Sequence, residues 1–178
     1  MAVDLGAFVR DIPDFPREGV VFKDITPLLA DPQAFRAAVD GLAGLARAGA
    51  GPIDCVIGAE ARGFLLGPAL AHTLGAGFVL ARKPGKLPYE TVRAEYLLEY
   101  GTDALEIHTD AVASGARVLV HDDLLATGGT STAVCGLVEQ LGGEVVGCNF
   151  LIELEGLGGR AALGKRDVQA LLRLDVGA

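Results

Sequence analysis

The stretch Val118-Leu119-Val120-His121-Asp122-Asp123-Leu124-Leu125-Ala126-Thr127-Gly128-Gly129-Thr130-Ser131 decides how this 178-residue chain is read. It opens as a short apolar strand, passes through two adjacent carboxylates and ends in small and hydroxyl residues that begin a helix. Gly128 and Gly129 let backbone N–H groups approach an anion closely. Thr127, Thr130 and Ser131 add hydroxyl donors. A helix starting near Thr130 presents its positive end to a phosphate. Asp122 and Asp123 can accept hydrogen bonds from a vicinal diol, such as the two hydroxyls of a ribose. Either half alone is most simply a surface acid pair or a surface glycine turn. Together, at this spacing, they describe a place for a phosphorylated sugar. Other phosphate loops fit poorly, because no Gly-Lys-Ser/Thr follows the glycines and no GxGxxG occurs.

The flanking sequence predicts what that stretch is set in. Asp31 is a good N-cap and Pro32 suits a first helical position. Phe35, Ala38, Val39, Leu42, Leu45 and Ala46 then keep helical spacing, with Gly49 as a stop. Cys55 to Ile57 reads as a buried strand, Phe64 to Leu74 as a helix interrupted early by Pro68, and Gly77 to Ala81 as another strand. Arg82 to Pro88 is a basic loop rich in Gly and Pro. Ala94 to Tyr100 and Ala104 to His108 suggest a hairpin turning over Gly101-Thr102-Asp103. After the strand at Val118–Val120 come a helix over Thr130–Leu141, closed by Gly142-Gly143, and a strand over Val145–Ile152. Strands alternating with helices predict an α/β fold with a doubly wound, mostly parallel sheet and helices on both faces. Ligands of such sheets bind beyond the carboxyl ends of the strands.

Length and composition set the outer limits. The length suits one domain spanning residues 1–178. Apolar residues make up 51% of the chain and charged residues 21%, which argues against disorder. Apolar runs are short, so none approaches the roughly 20 residues needed to cross a bilayer. The start, Met1-Ala2-Val3-Asp4, lacks the pattern of a secretory signal. A net charge of −8 argues against a nucleic-acid partner. Cys55, Cys135 and Cys148 form no metal-type pair, which fits reduced, buried thiols in a cytoplasmic protein.

The run from Val118 to Ser131 resembles the phosphoribosyl-pyrophosphate (PRPP) signature of type I phosphoribosyltransferases. Ile12-Pro13-Asp14-Phe15-Pro16, Gly19 to Ile25, Glu60-Ala61-Arg62-Gly63-Phe64, Arg82 to Pro88 and Leu98-Glu99-Tyr100-Gly101 are similar to segments of the adenine phosphoribosyltransferase family, in that family's order. They span nearly the whole chain.

The resemblance implies transfer of ribose 5-phosphate from PRPP to N9 of adenine, giving AMP and pyrophosphate, with Mg²⁺ as cofactor. The 5′-phosphate would lie on Ala126, Thr127, Gly128, Gly129 and Thr130, and the diol on Asp122 and Asp123, near which Mg²⁺ could also sit while held mainly by PRPP. Pyrophosphate would meet the Glu60-Ala61 backbone, often a cis peptide in the family, together with Arg62, Arg82, Lys83 and Lys86. Val21 and Lys23 would read the base through backbone groups while Phe22 stacks on it. Lys23 stands where the family commonly carries Arg. Ala126 stands where 6-oxopurine enzymes usually carry Asp; it cannot exchange a proton, so Glu99 becomes the general acid/base. The resemblance further implies an N-terminal hood over about residues 1–30, a lid loop and hairpin over about 82–108, and a homodimer. His121 stands where an apolar residue is usual, and is expected to be a partly buried histidine bonded to a neighbouring carboxylate, or else to tune Asp122. The alternatives are a phosphoribosyltransferase for another purine and a PRPP-sensing regulator without catalysis.

Overall fold

The computed structural model describes residues 3–97 and 102–176. Five strands form its central sheet: β3 (Cys55–Ala59), β4 (Gly77–Ala81), β7 (Arg117–Leu125), β8 (Glu144–Glu155) and β9 (Val168–Asp175). Their order is β4-β3-β7-β8-β9, and every neighbouring pair is parallel. Two antiparallel pairs lie outside this sheet. One is β1 (Arg10–Ile12) with β2 (Phe22–Asp24); the other is β5 (Thr91–Leu97) with β6 (Thr102–His108).

Side-chain alternation along the parallel strands builds a core on each face. Ile57, Val118, Val120, Cys148 and Phe150 pack with Val134, Leu137 and Val138 of α4 (Gly129–Gln140) and with Leu105 and Ile107 of the hairpin. Val56, Leu119 and Leu151 turn the other way, to Leu42 and Ala46 of α2 (Pro32–Ala50) and to Leu66 and Leu70 of α3 (Gly63–Leu74). Helices therefore cover both faces of the sheet, as the alternating pattern predicts. The short α1 (Thr26–Ala30) joins the N-terminal pair to α2.

Helix α2 begins where its sequence says it should. The Asp31 carboxylate accepts hydrogen bonds from the Gln33 and Ala34 amides at 2.9 and 2.8 Å, and Pro32 follows. The helix does not stop at Gly49 but runs to Ala50. Gly49 has a different use: a Cβ there would lie 2.1 Å from the Gln169 side-chain nitrogen on β9. Helix α3 likewise passes through Pro68. Pro68 is exposed, so the carbonyl that its missing N–H leaves unpaired can turn to water.

Other boundaries move. Thr102 and Asp103 belong to strand β6 rather than to a turn, and β5 starts at Thr91; the rest of the hairpin end falls outside the described residues. Strand β7 does not end at Val120 but continues through the acid pair to Leu125, because β8 runs beside it, with Asp122 opposite Phe150 and Leu125 opposite Glu153. On its other side β7 pairs with β3 only as far as His121. The acid pair thus sits on a strand that is laddered on one flank and open on the other. Strand β9 and the four-residue α5 (Gly159–Ala162) are additions that the sequence pattern did not announce.

His121 departs from expectation. It is fully buried, and its Nδ1 lies 3.0 Å from the backbone oxygen of Asn149, not against a carboxylate. A carbonyl only accepts, so Nδ1 carries the proton. Burial pushes the pKa of the ring down to about 4. An unfolded histidine titrates near 6.5. As pH falls below that value, the unfolded chain takes up a proton that the folded one excludes, and stability is lost down to the folded pKa. Thermal unfolding between pH 7.5 and 5 should therefore show a steeper loss for the wild type than for His121→Leu. Equal slopes would mean that the folded protein protonates this ring freely.

Candidate active site

The ends of β3, β4 and β7 lie side by side at one edge of the sheet, and each carries functional groups onward. Asp122 and Asp123 stand on β7, with the Asp123 amide donating to Asp122 Oδ1 at 2.9 Å. Asp123 is buried and Asp122 half-buried. Burial pushes the Asp122 carboxyl well above the usual carboxylate range, and the charge of Asp123 adds to the rise. Burial raises Asp123 too, with Arg62 opposing the rise. These are carboxylates held where water cannot stabilise their charge fully.

After Leu125 the chain bends over Ala126-Thr127-Gly128 and enters α4 at Gly129. Gly128 adopts φ +84°, a left-handed conformation open to glycine at little cost. It is the helix N-cap and brings no side chain to bond the first-turn amides. Those amides and the helix dipole therefore face whatever occupies the loop. Asp122, Asp123, Arg62 and the whole run from Leu124 to Ser131 line one cavity of about 220 Å³. The sequence run read as a ribose phosphate site is thus a continuous wall.

Arg62 closes that cavity from β3's side. One guanidinium nitrogen, Nη2, lies 2.5 Å from Asp123 Oδ2 and 3.1 Å from the backbone oxygen of Lys23, to which it donates. Its central carbon is 4.6 Å from the centroid of the Phe22 ring, a cation–π distance. Phe22 also meets Phe15 edge-on, with centroids 5.1 Å apart. Arg62 therefore joins the expected base segment to the acid pair. A base stacking on the Phe22 face that Arg62 covers must displace the guanidinium. Lys23 is buried, and its ammonium bonds Asp11 Oδ1 at 2.8 Å, which ties β2 to β1. Its side chain thus holds the N-terminal pair together while its carbonyl faces Arg62. Val21, just before β2, is half-buried.

The other expected phosphate ligands gather around acids of their own. The Glu60–Ala61 peptide is cis. The Glu60 carboxylate accepts from the Lys83 amide at 2.9 Å and from Arg82 Nε at 3.2 Å. The Lys83 amide bond, more than any other contact, holds Glu60 below the usual carboxylate range. Arg82 also donates to the Lys86 carbonyl at 3.2 Å. Lys83 Nζ pairs with Asp103 at 3.1 Å, an acid that also accepts from the Tyr96 hydroxyl at 3.3 Å. The Gly85 amide donates to Glu106. The basic loop is thus tethered by the carboxylates of Glu60, Asp103 and Glu106. Glu99 lies outside the described residues. Among these residues no cluster of three or more His, Cys, Asp or Glu side chains is arranged to hold a metal.

A parallel sheet with an acid pair and an anion loop at its carboxyl edge defines a class, and the chain belongs to the phosphoribosyl transferase family, whose domain matches residues 27–168. Among curated relatives, the adenine phosphoribosyltransferase of Geobacter metallireducens is 59% identical over 169 residues, covering 95% of this chain and 98% of its own length. The crystal structure of adenine phosphoribosyltransferase from Thermoanaerobacter pseudethanolicus matches with a TM-score of 0.92 at 52% identity, over 96% of this chain and 98% of that one. The Saccharomyces cerevisiae enzyme was solved with adenine and an imino-altritol bisphosphate. It matches with a TM-score of 0.90 at 42% identity, over 95% of this chain and 97% of its own.

The raised pKa of Asp122 has a measurable consequence. The folded carboxyl keeps its proton at a pH where an unfolded one, near 3.9, has lost it. Stability therefore falls as pH rises through the folded value, and the full cost is present above it. Asp122→Asn should raise the Tm of the unliganded protein at pH 7, roughly 2–4 °C for each kcal/mol regained at this chain length. The gain over wild type should shrink as the pH is lowered toward 4. A lower Tm at pH 7 would show that the folded state favours the Asp122 charge.

Proposed function

We propose that the chain transfers the 5-phosphoribosyl group of PRPP to N9 of adenine, forming AMP and releasing pyrophosphate, as an enzyme of purine salvage. The single observation that carries this is the unbroken cavity wall running from Asp122 and Asp123 through Ala126–Thr130 to the start of α4. A ribose 5-phosphate needs diol acceptors at one end and anion donors at the other, and the wall offers them in that order.

The 5′-phosphate sits on Ala126, Thr127, Gly128, Gly129 and Thr130, held by backbone amides. Asp122 and Asp123 take the diol. As the bond at the anomeric carbon breaks, positive charge grows on the ribose, and these two carboxylates favour it in a site with little water. Pyrophosphate leaves toward the Glu60–Ala61 backbone, Arg62, Arg82, Lys83 and Lys86. The tethered loop that carries Arg82, Lys83 and Lys86 is the base of a lid over about residues 82–108. Adenine stacks on Phe22 beneath the N-terminal hood and meets the backbone of Val21 and Lys23. Ala126 has no proton to exchange, so Glu99 serves as general acid/base.

Mg²⁺ keeps several waters and binds through one or two carboxylates plus substrate phosphates. Among the described residues an acid pair without a third carboxylate fits that habit, so the ion would be held mainly by PRPP with Asp122 and Asp123 near it. When bound, it neutralises charge on the departing pyrophosphate. Three free, buried thiols suit a reducing cytoplasm. Exposed Leu65 on α3 and Leu80 on the edge strand β4 offer apolar surface to a second copy of the chain, consistent with a homodimer.

Purified protein mixed with PRPP, Mg²⁺ and one purine base at a time should form AMP from adenine and no nucleotide from hypoxanthine, guanine or xanthine. Glu99→Ala should lower kcat by roughly 10²–10⁴, the usual contribution of general acid–base catalysis. Turnover of a 6-oxopurine instead would overturn the base assignment. PRPP binding without turnover of any base would overturn the enzymatic one.

A further inference from the structure

The phosphate loop has a back as well as a front. Its back rests on α5, the short segment after β8 that neither the acid pair nor the loop motif includes. At Gly159, an added Cβ would lie 2.2 Å from the Ala126 carbonyl oxygen and 2.9 Å from Leu125 side-chain carbons. At Gly128, an added Cβ would lie 2.7 Å from the Gly159 carbonyl oxygen and 3.0 Å from Ala162 Cβ. Loop backbone and α5 backbone therefore meet with no side chain between them. The loop's shape depends on where α5 stands.

Two anchors fix α5. At one end Leu163 is fully buried in the core beside α4. At the other, Arg160 forks onto Glu153 near the end of β8, with Nε 2.9 Å from Oε1 and Nη2 2.5 Å from Oε2. Its remaining nitrogen, Nη1, donates to the Val168 carbonyl at 2.6 Å on β9. The planar guanidinium thus joins β8, β9 and α5 through three directed bonds, a geometry that lysine cannot reproduce. The Glu153 side chain is 10% exposed and also lies 3.5 Å from Arg173 Nε. Glu153 is held below the usual carboxylate range, chiefly by the bond from Arg160. Such a buttress is more than helix packing needs, because α5 has only four residues and no long apolar face of its own.

We propose that Gly159 and Arg160 are positioning residues for the 5′-phosphate: Arg160 clamps α5 to the ends of β8 and β9, and Gly159 lets the loop Ala126–Gly128 seat against it. This rests on the assignment of that loop to the 5′-phosphate of PRPP. The pair touches no substrate. It sets the spacing between the loop amides and the start of α4, which the phosphate reads from the other side.

The test combines binding and kinetics on the full chain. Ribose 5-phosphate is the binding probe, titrated calorimetrically beside adenine, and AMP formation supplies KM for PRPP and kcat. Gly159→Ala forces the Ala126 carbonyl away. It should weaken ribose 5-phosphate binding and raise KM for PRPP by roughly tenfold or more, because misplacement of about 1 Å can reach a hundredfold. Adenine binding should stay as in the wild type, and kcat should change much less than KM, the pattern of lost uniform binding. Arg160→Lys, which keeps the charge and loses the fork, should shift the same two quantities in the same direction. Should Gly159→Ala fail to fold, Ala162→Gly loosens the same contact without crowding it and should weaken ribose 5-phosphate binding several-fold. Unchanged ribose 5-phosphate affinity in folded Gly159→Ala or Arg160→Lys overturns the proposal, as does a fall in kcat with KM intact. If the wild type binds ribose 5-phosphate but makes no AMP, the activity assignment fails alone, and the binding shifts still decide the role of α5.

Discussion

Two carboxylates held together at the open flank of a buried strand set the terms for the rest of the molecule. Asp122 and Asp123 cannot both be comfortable as anions so far from water, and among the described residues the ion pair Arg62 makes is with Asp123. The protein meets part of the deficit itself. Gly63 leaves room for the pair, since a Cβ there would crowd the His121 carbonyl and Asp122 Oδ1 at 3.0 and 3.2 Å. Arg62 supplies the positive charge, and its own place is set by the Lys23 carbonyl and the Phe22 ring. What remains is an unmet demand for hydrogen-bond donors, which the sugar diol of the proposed reaction would satisfy. A site that is electrostatically uncomfortable when empty gains more from its ligand than a relaxed one.

The proposed reaction asks for two kinds of anion recognition in the same fold. The loop from Ala126 to Ser131 contains no Lys or Arg and relies on amides and a helix end. This is how a chain of net charge −8 can hold a phosphate without a basic surface. The segment from Arg82 to Lys86 uses full charges, and the carboxylates of Glu60 and Asp103 already engage Arg82 and Lys83. An arriving polyanion must share or replace those partners, so its net gain is smaller than a bare count of cations suggests. The amide loop faces no such exchange.

Where local chemistry decides, the sequence was legible. The Asp31 cap, the apolar strands and the turn from Leu125 into α4 each depend on residues close in the chain. Where a distant neighbour decides, it was not. Strand β7 runs past Val120 only because β8 accompanies it. Gly49 looks like a helix stop until Gln169 is seen against it. His121 looks like an acid's partner until the sheet places the Asn149 carbonyl beside it. Asp103, Glu106 and Arg160 carry no local signature, because their work lies in bonds to residues far along the chain. For α5 a faint signal existed in Gly156, Gly158 and Gly159 after an apolar run, but nothing in it points to the phosphate loop.

The parallel sheet also governs when the site comes into being. Cys55 pairs with Val118, and Asp122 lies opposite Phe150, so the pocket is assembled from segments separated by long excursions of the chain. The β5–β6 hairpin can close locally and early; parallel pairings must wait for distant partners, at the entropic cost of large loops. During synthesis the motif from Val118 to Ser131 emerges before β8, the neighbour that ladders its acidic end. A growing chain thus displays every residue of the proposed ribose site for some time before it owns the cradle that makes them one.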